Sequence, residues 1–295
     1  MSRPSTPSSH QEAIFRFVAE GAGHGVIMAT AGSGKSTTLV EVAHRLPEGT
    51  RACFLAFNTS TAQQLKDRLP AHVTARTVHS LGLKTLAASV KGRKLARVYP
   101  RKYQQLVKAR LRNTEESYRV SSATASQAVH YLQELTHYTR VNLAREDDQG
   151  VLERITRIYH LRPPEQPELL DNLHNQLWEI LRDGVALALE GLYDYTDMIY
   201  APLAADLSPI QRFDMVCVDE AQDLSPMQLE FILSLPRLGG RLLFVGDPKQ
   251  AIYGFAGADT RAMSRIVERT QATVLPLSVT YRVRPVSLKS DTLLA

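Results

Sequence analysis

Short apolar runs alternate with helical patterns at both ends of the chain. Gly25–Ala29 is one such run, and it is typical of a strand buried in a parallel sheet. The pattern predicts strands at 25–29, 52–57, 213–218 and 241–245, and helices at 11–19, 39–46 and 62–69. Because strands and helices alternate, we predict an α/β fold with a parallel sheet.

The middle of the chain has a different pattern. From about Leu86 to Tyr195 the strand-like runs vanish, and helical patterns rich in Arg, Lys, Gln and Glu replace them. Prolines in Pro163–Pro167 divide this region into two helical pieces. We predict an all-helical insertion at 86–195 inside one discontinuous domain made of 11–85 and 196–280. Residues 1–10 have no apolar core and are predicted to be a disordered tail.

Composition limits the classes of protein that remain. The chain has 295 residues, of which 44% are hydrophobic, so it can bury a substantial core. Its apolar runs are shorter than the roughly 18 to 20 residues that span a bilayer, so no membrane association is expected. Cys53 and Cys217 each lie inside an apolar run, which favours two reduced core residues in a cytoplasmic protein.

Positive charge is concentrated in one segment. Between Lys84 and Arg119 there are eleven basic residues and two acidic ones, a net charge of +9, whereas the whole chain carries +5. The rest of the chain is therefore net acidic. Such a segment forms either a solvated helix face or a surface that binds a polyphosphate backbone.

The segment Ala29–Thr37 has the pattern of a P-loop. Its glycines allow backbone N–H groups to turn around phosphate oxygens, and a predicted helix follows. Lys35 is predicted to reach the β- and γ-phosphates of ATP, and Ser36 to bind Mg²⁺. Ala29 stands where the general pattern has its first glycine. The predicted nucleotide-binding residues here are Ala31, Gly32, Ser33, Gly34, Lys35, Ser36 and Thr37.

Two acidic residues directly follow the predicted strand 213–218. Carboxyl ends of parallel strands meet at one edge of a sheet, so Asp219 and Glu220 are expected near the P-loop. Asp219 is predicted to hold Mg²⁺, and Glu220 to orient and deprotonate the attacking water.

Together these motifs resemble the UvrD/Rep/PcrA group of superfamily 1 helicases, with the F-box-type DNA helicases and their bacterial relatives the most similar. The resemblance runs from Gln11 to Arg282 and implies a RecA-like P-loop domain. It implies that Gln11 reads adenine, and that Ala31–Ser36 and Asp219–Asp223 are the two Walker motifs. Gln250 would sense the γ-phosphate. The segment Thr280–Arg282 would place Tyr281 against adenine and Arg282 on the γ-phosphate.

The same resemblance implies contacts with single-stranded DNA. Phe57, Asn58 and His79 match DNA-contacting positions, and the segment Val245–Phe255 adds two exposed-aromatic candidates, Tyr253 and Phe255. Bases stack on such aromatic faces without regard to sequence, as a translocating motor requires. Asp194–Met198 matches a further Asp-Phe-x-Asp-Leu element of the family. Ala256 departs from the pattern, because the family often has arginine there, and one expected contact is thereby in doubt.

Three functions were weighed against this pattern. The first is the ATP-binding half of a DNA motor, and the second an ATP- and DNA-binding module without unwinding activity. The third, a small-molecule kinase, is disfavoured by the segment 219–223 followed by 246–250. Only 13 residues follow Arg282. We therefore expect 281–295 to be only the start of a second RecA-like domain. A partner chain would have to supply the rest of that domain.

Overall fold

A computed structural model describes residues 6–90, 98–250 and 262–278. Its strands form a six-stranded parallel sheet in the order β3-β2-β4-β5-β1-β6. The strands are β1 (Gly25–Ala29), β2 (Ala52–Ala56), β3 (Val73–Thr77), β4 (Phe213–Val218), β5 (Pro236–Gly246) and β6 (Thr273–Leu277). The predicted α/β fold with a parallel sheet is confirmed.

Helices cover both faces of this sheet and fill the middle of the chain. They are α1 (Ser9–Glu20), α2 (Lys35–Arg45), α3 (Thr59–Lys66), α4 (Val78–Ser89), α5 (Lys102–Arg110), α6 (Thr114–Tyr118), α7 (Ser122–Val141), α8 (Val151–Ile158), α9 (Pro167–Leu189), α10 (Asp197–Ala204), α11 (Pro226–Leu233) and α12 (Ala262–Thr270). None of these helices is both long and apolar enough to cross a membrane.

Alternate side chains of β1, β2, β4 and β5 enter two different cores. Ile27 packs with α1 and α2 on one face, whereas Val26 belongs to the cluster on the other face. Cys53 and Cys217 likewise face opposite cores, so both are free buried thiols, as predicted. Burial raises the pKa of the Cys53 thiol to about 11.

The cluster on the second face is continuous with the helical region. Leu55 of β2 belongs to the same set of packed apolar side chains as Leu132 of α7 and Leu173 of α9. The described residues between β3 and β4 contain no strand, in agreement with the helical pattern of the sequence. Helix α9 begins at Pro167, where the proline run ends. The division into two units at 85/86 and 195/196 stays a prediction.

Several boundaries differ from the predicted ones. Helix α1 begins at Ser9, because Ser8 and Gln11 form a capping box, so the end of the expected tail is helical. Helix α3 begins at Thr59 instead of 62, since Asn58 accepts the backbone N–H of Thr61. Strands β3 and β6 were not predicted.

Candidate functional site

The P-loop lies between β1 and α2. Gly32 and Gly34 have φ values of 76° and 82°, in the left-handed region that favours glycine. An added Cβ on Gly34 would meet no atom within 4 Å, so it is the positive φ and not a close contact that favours glycine there. Lys35, Ser36 and Thr37 form the first turn of α2, where the backbone N–H groups of a helix are free to bind an anion.

Two hydroxyl groups in the loop support its fit to a phosphate ligand. Among the described residues, Thr30 Oγ1 and Ser33 Oγ are buried and have no hydrogen-bond partner. A polar group buried without a partner is costly, and a bound ligand can supply one. Ala31 is exposed and Gly32 half-buried beside them. The loop therefore has the shape and the donors for a polyphosphate, with Ser36 at its mouth.

Asp219 and Glu220 lie at the carboxyl end of β4, opposite Lys35. The Lys35 Nζ and Glu220 Oε2 atoms are 2.5 Å apart. Asp219 Oδ1 accepts the Glu220 N–H at 3.0 Å. Burial, and then the negative charge of Glu220, raise the pKa of Asp219 to about 6. The residues predicted to handle phosphate, metal and water thus lie together.

Gln222 connects these carboxylates to the end of β5. Its Nε2 donates to Glu220 Oε2 at 2.9 Å, and its Oε1 accepts the Asp247 N–H at 3.0 Å. Gly246 is needed beside it, because a Cβ there would lie 2.7 Å from Gln222 Oε1. The backbone N–H of Gln250 donates to Asp247 O at 2.9 Å, so Gln250 follows in the same turn. The sequence analysis gave Gln222 no role.

Gln11 lies in the first turn of α1 and joins this helix to the P-loop helix. Its Oε1 accepts the Ser8 N–H and its Nε2 donates to Thr38 Oγ1 of α2, both at 3.0 Å. Nδ1 of the neighbouring His10 lies 3.3 Å from Oγ of Ser278, the residue just after β6. Tyr281 and Arg282 lie outside the described residues. Adenine recognition by Gln11 stays a prediction.

Phe57 and His79 line the same narrow cleft as Asp219 and Glu220. Phe57 follows β2 with 56% of its surface exposed, and His79 lies in the first turn of α4. The cleft has a volume of only about 10 Å³, so these side chains lie close around it. Burial lowers the pKa of His79. Tyr253 and Phe255, the other predicted DNA contacts, lie outside the described residues.

Asn58 is exposed, and its contact with DNA stays a prediction. It caps α3 through Oδ1, which accepts the Thr61 N–H at 2.8 Å. Tyr195 is a further candidate, which the sequence motif alone does not single out. With 60% of its surface exposed, it joins Phe57 as the second exposed aromatic residue of the described chain. An aromatic side chain directly after Asp194, in a matched motif, was the available signal.

The basic segment is less uniform than the sequence indicated. Lys102 is 2% exposed and ion-paired with Asp197, so it cannot lie on a binding surface. Arg110 pairs with Glu179 and Asp183 of α9. Both residues were expected on the basic face and are neutralised within the fold. The exposed basic residues that remain in the described part are Arg101, Lys108, Arg112 and Arg119. Lys91, Arg93, Lys94 and Arg97 lie outside it.

Comparisons with known proteins point to the helicase family that the sequence motifs resemble. The sequence matches the family described as UvrD/REP helicase N-terminal domain over residues 10–271. F-box DNA helicase 1 of Gallus gallus is 28% identical over 244 residues, 79% of this chain and 22% of that protein. F-box DNA helicase protein 1 of Schizosaccharomyces pombe is 26% identical over 259 residues, 81% of this chain and 27% of that protein.

A shorter match has higher identity. RecBCD enzyme subunit RecB of Borreliella burgdorferi is 48% identical over 48 residues, which are 16% of this chain and 4% of that protein. The chain spans about a quarter of the length of the two F-box helicases that it matches.

Proposed function

Because the chain belongs to the UvrD/REP helicase N-terminal domain family, we propose that it binds MgATP at the P-loop and couples ATP hydrolysis to binding of single-stranded DNA. The observation that carries this proposal is the pocket shared by Phe57, His79, Asp219 and Glu220. A ligand that moves Phe57 or His79 also changes the surroundings of the carboxylates.

In this mechanism, the P-loop backbone and Lys35 bind the triphosphate. Ser36 and Asp219 are the residues that would hold Mg²⁺, because a hydroxyl and a carboxylate are hard oxygen ligands. Bound Mg²⁺ supplies positive charge to the phosphate oxygens. As Lys35 turns towards phosphate, its ion pair with Glu220 opens, and the Glu220 carboxylate can accept a proton from water.

Gln222 joins Glu220, the proposed base, to the turn at Asp247 that leads to Gln250 and the predicted DNA contacts. It holds Glu220 through Nε2 and the turn at Asp247 through Oε1. The same turn leads to Gln250, the proposed γ-phosphate sensor. A shift of the turn would therefore change the orientation of Glu220.

Unwinding and translocation are proposed for a longer assembly. The curated relatives named above are helicases several times longer than the part matched here. A second RecA-like domain, on the same polypeptide or on a partner chain, would complete the nucleotide site opposite Lys35. The name RecBCD enzyme subunit shows that one relative works within a complex. The alternative is an ATP- and DNA-binding module that does not unwind DNA.

Steady-state ATPase activity with and without oligo-dT tests the proposal. We expect MgATP hydrolysis that rises with oligo-dT concentration and saturates, because DNA binding at Phe57 and His79 would reorganise the shared pocket. Duplex DNA of the same length should stimulate less. An ATPase rate that is independent of single-stranded DNA would contradict coupling, and DNA binding without hydrolysis would favour the module without motor activity.

The exposed basic residues of the helical region should contribute to DNA affinity through counterion release. Replacing Arg101, Lys108 and Arg112 with glutamine is expected to reduce the slope of log K against log salt concentration by about 2. Fluorescence anisotropy of labelled oligo-dT between low and moderate salt measures this slope. The matched control replaces Arg154, Arg157 and Arg162, three exposed arginines elsewhere in the helical region. Equal slopes in both variants would assign the basic segment to an ordinary solvated face.

A further inference from the structure

Four charged side chains are buried where the helical region meets the segment before α10. Lys102, Arg140, Asp194 and Asp197 are 2%, 3%, 7% and 0% exposed. Two positive and two negative charges balance each other in this cluster. Burying ions costs several kcal/mol each unless they are closely paired. The four side chains are indeed closely paired.

The two aspartates hold one tight turn. The Asp194 N–H donates to Asp197 Oδ2 at 2.9 Å, and the Asp197 N–H donates to Asp194 Oδ1 at 2.8 Å. Arg140 Nη1 donates to both oxygens of Asp194, at 3.0 and 2.9 Å, and lies 3.4 Å from Asp197 Oδ1. One nitrogen of α7 thus fixes the turn from 194 to 197.

Helix α5 holds the same turn from another direction. Lys102 forms an ion pair with Asp197 and donates to Gly184 O at 2.7 Å. The Tyr103 hydroxyl donates to Asp197 Oδ1 at 3.0 Å. There is no space for a larger residue at Gly184, since a Cβ would lie 2.3 Å from the Tyr103 hydroxyl.

The turn carries an exposed aromatic ring on a rigid support. Tyr195 lies between the two buried aspartates and lines a pocket together with His137, Tyr138 and Arg140. Helix α10, which begins at Asp197, packs closely on α4. A Cβ on Gly82 of α4 would lie 2.1 Å from Met198 O, so these helices cannot separate or slide without repacking.

In other proteins, apolar residues of similar volume often replace a buried ionic cluster without loss of stability. What an ionic cluster adds is a defined orientation of the turn, since each hydrogen bond has a preferred direction. Tyr195 projects from this turn, so the cluster fixes the backbone position from which its exposed ring extends. The cluster is thus suited to hold the base of one exposed aromatic side chain at a fixed place on the surface.

We propose that Arg140 and Lys102 are positioning residues for single-stranded DNA, acting through Asp194 and Asp197 to hold the backbone of Tyr195 where its ring can stack on a base. This inference rests on the proposed function, and it assigns to the helical region a role in presenting a DNA contact. In this arrangement Arg140 and Lys102 are buried and do not themselves contact DNA.

A double-mutant cycle with oligo-dT tests the inference. We expect Arg140→Gln and Tyr195→Ala each to weaken oligo-dT binding about tenfold, the size of one lost stacking contact. The double variant should bind about as weakly as Tyr195→Ala alone, because the arginine acts through that ring. MgATP affinity should be unchanged in all three variants. Losses that multiply to about a hundredfold would overturn the inference.

Two further variants separate positioning from folding. Arg140→Lys should restore most of the oligo-dT affinity, since a single nitrogen makes the carboxylate contacts. An affinity as low as that of Arg140→Gln would contradict this. If Arg140→Gln fails to fold, as judged by circular dichroism, Tyr103→Phe replaces it in the cycle, because it removes only one donor to Asp197. A parent chain that binds no oligo-dT would refute the proposed function itself.

Discussion

A Glu220→Gln variant is expected to bind MgATP about as tightly as the parent chain and to hydrolyse it roughly 10²- to 10⁴-fold more slowly, the usual contribution of a general base. The amide keeps the shape of the side chain and an oxygen that can accept from Lys35 and Gln222. It cannot take a proton from water. Binding and hydrolysis should therefore separate in this one variant.

Equilibrium titration with a fluorescent ATP analogue and steady-state phosphate release measure the two properties. Glu48→Gln is the matched control, because Glu48 is an exposed glutamate beyond the end of α2. Its hydrolysis rate should equal that of the parent. If Glu220→Gln hydrolysed ATP at the parent rate, Glu220 would not be the base. Asp223 would then be the next candidate, and its pKa is raised by burial and by the neighbouring Glu220.

The local sequence was sufficient to predict structure where a motif occupies one continuous segment. The P-loop and the strand before it were predicted because glycines, a lysine and a serine follow an uninterrupted apolar run. The predicted strand at 25–29 coincides with β1. The resemblance to the UvrD/Rep/PcrA group, made on such motifs, is confirmed by the family match over residues 10–271. The parallel sheet followed from alternation of strands and helices.

Edge strands were missed because their sequences are not continuously apolar. Strand β3 reads Val-Thr-Ala-Arg-Thr, and only Val73 and Ala75 are buried. Strand β6 contains Pro276 and has three exposed residues. Each lies at an end of the sheet, where only one neighbouring strand is required. A search for continuous apolar runs therefore misses both of these strands.

Long-range pairing was also invisible in the sequence. Lys102 lies in a run of basic residues, so it was assigned to the exposed face with them. Its partner Asp197 is 95 positions further along the chain, and the pair is recognisable only after α5 and α10 are packed. Gln222 was overlooked for the same reason, because the turn at Asp247 that it holds is distant in sequence.

A Lys35→Ala variant is expected to weaken MgATP binding about 10- to 150-fold, because hydrogen bonds to charged groups contribute about 1.5–3 kcal/mol. Glu220 would keep Gln222 as its hydrogen-bond partner, so the fold of the site should survive.

Isothermal titration calorimetry with MgATP measures the loss directly. Lys66→Ala is the control, since it removes the same charge from the exposed surface of α3. It should change MgATP affinity little, because exposed charges are screened by solvent. Equal affinities of Lys35→Ala and Lys66→Ala would mean that phosphate is not bound at the start of α2. Together with tight binding by Glu220→Gln, a selective loss in Lys35→Ala would assign binding to one member of the ion pair and hydrolysis to the other.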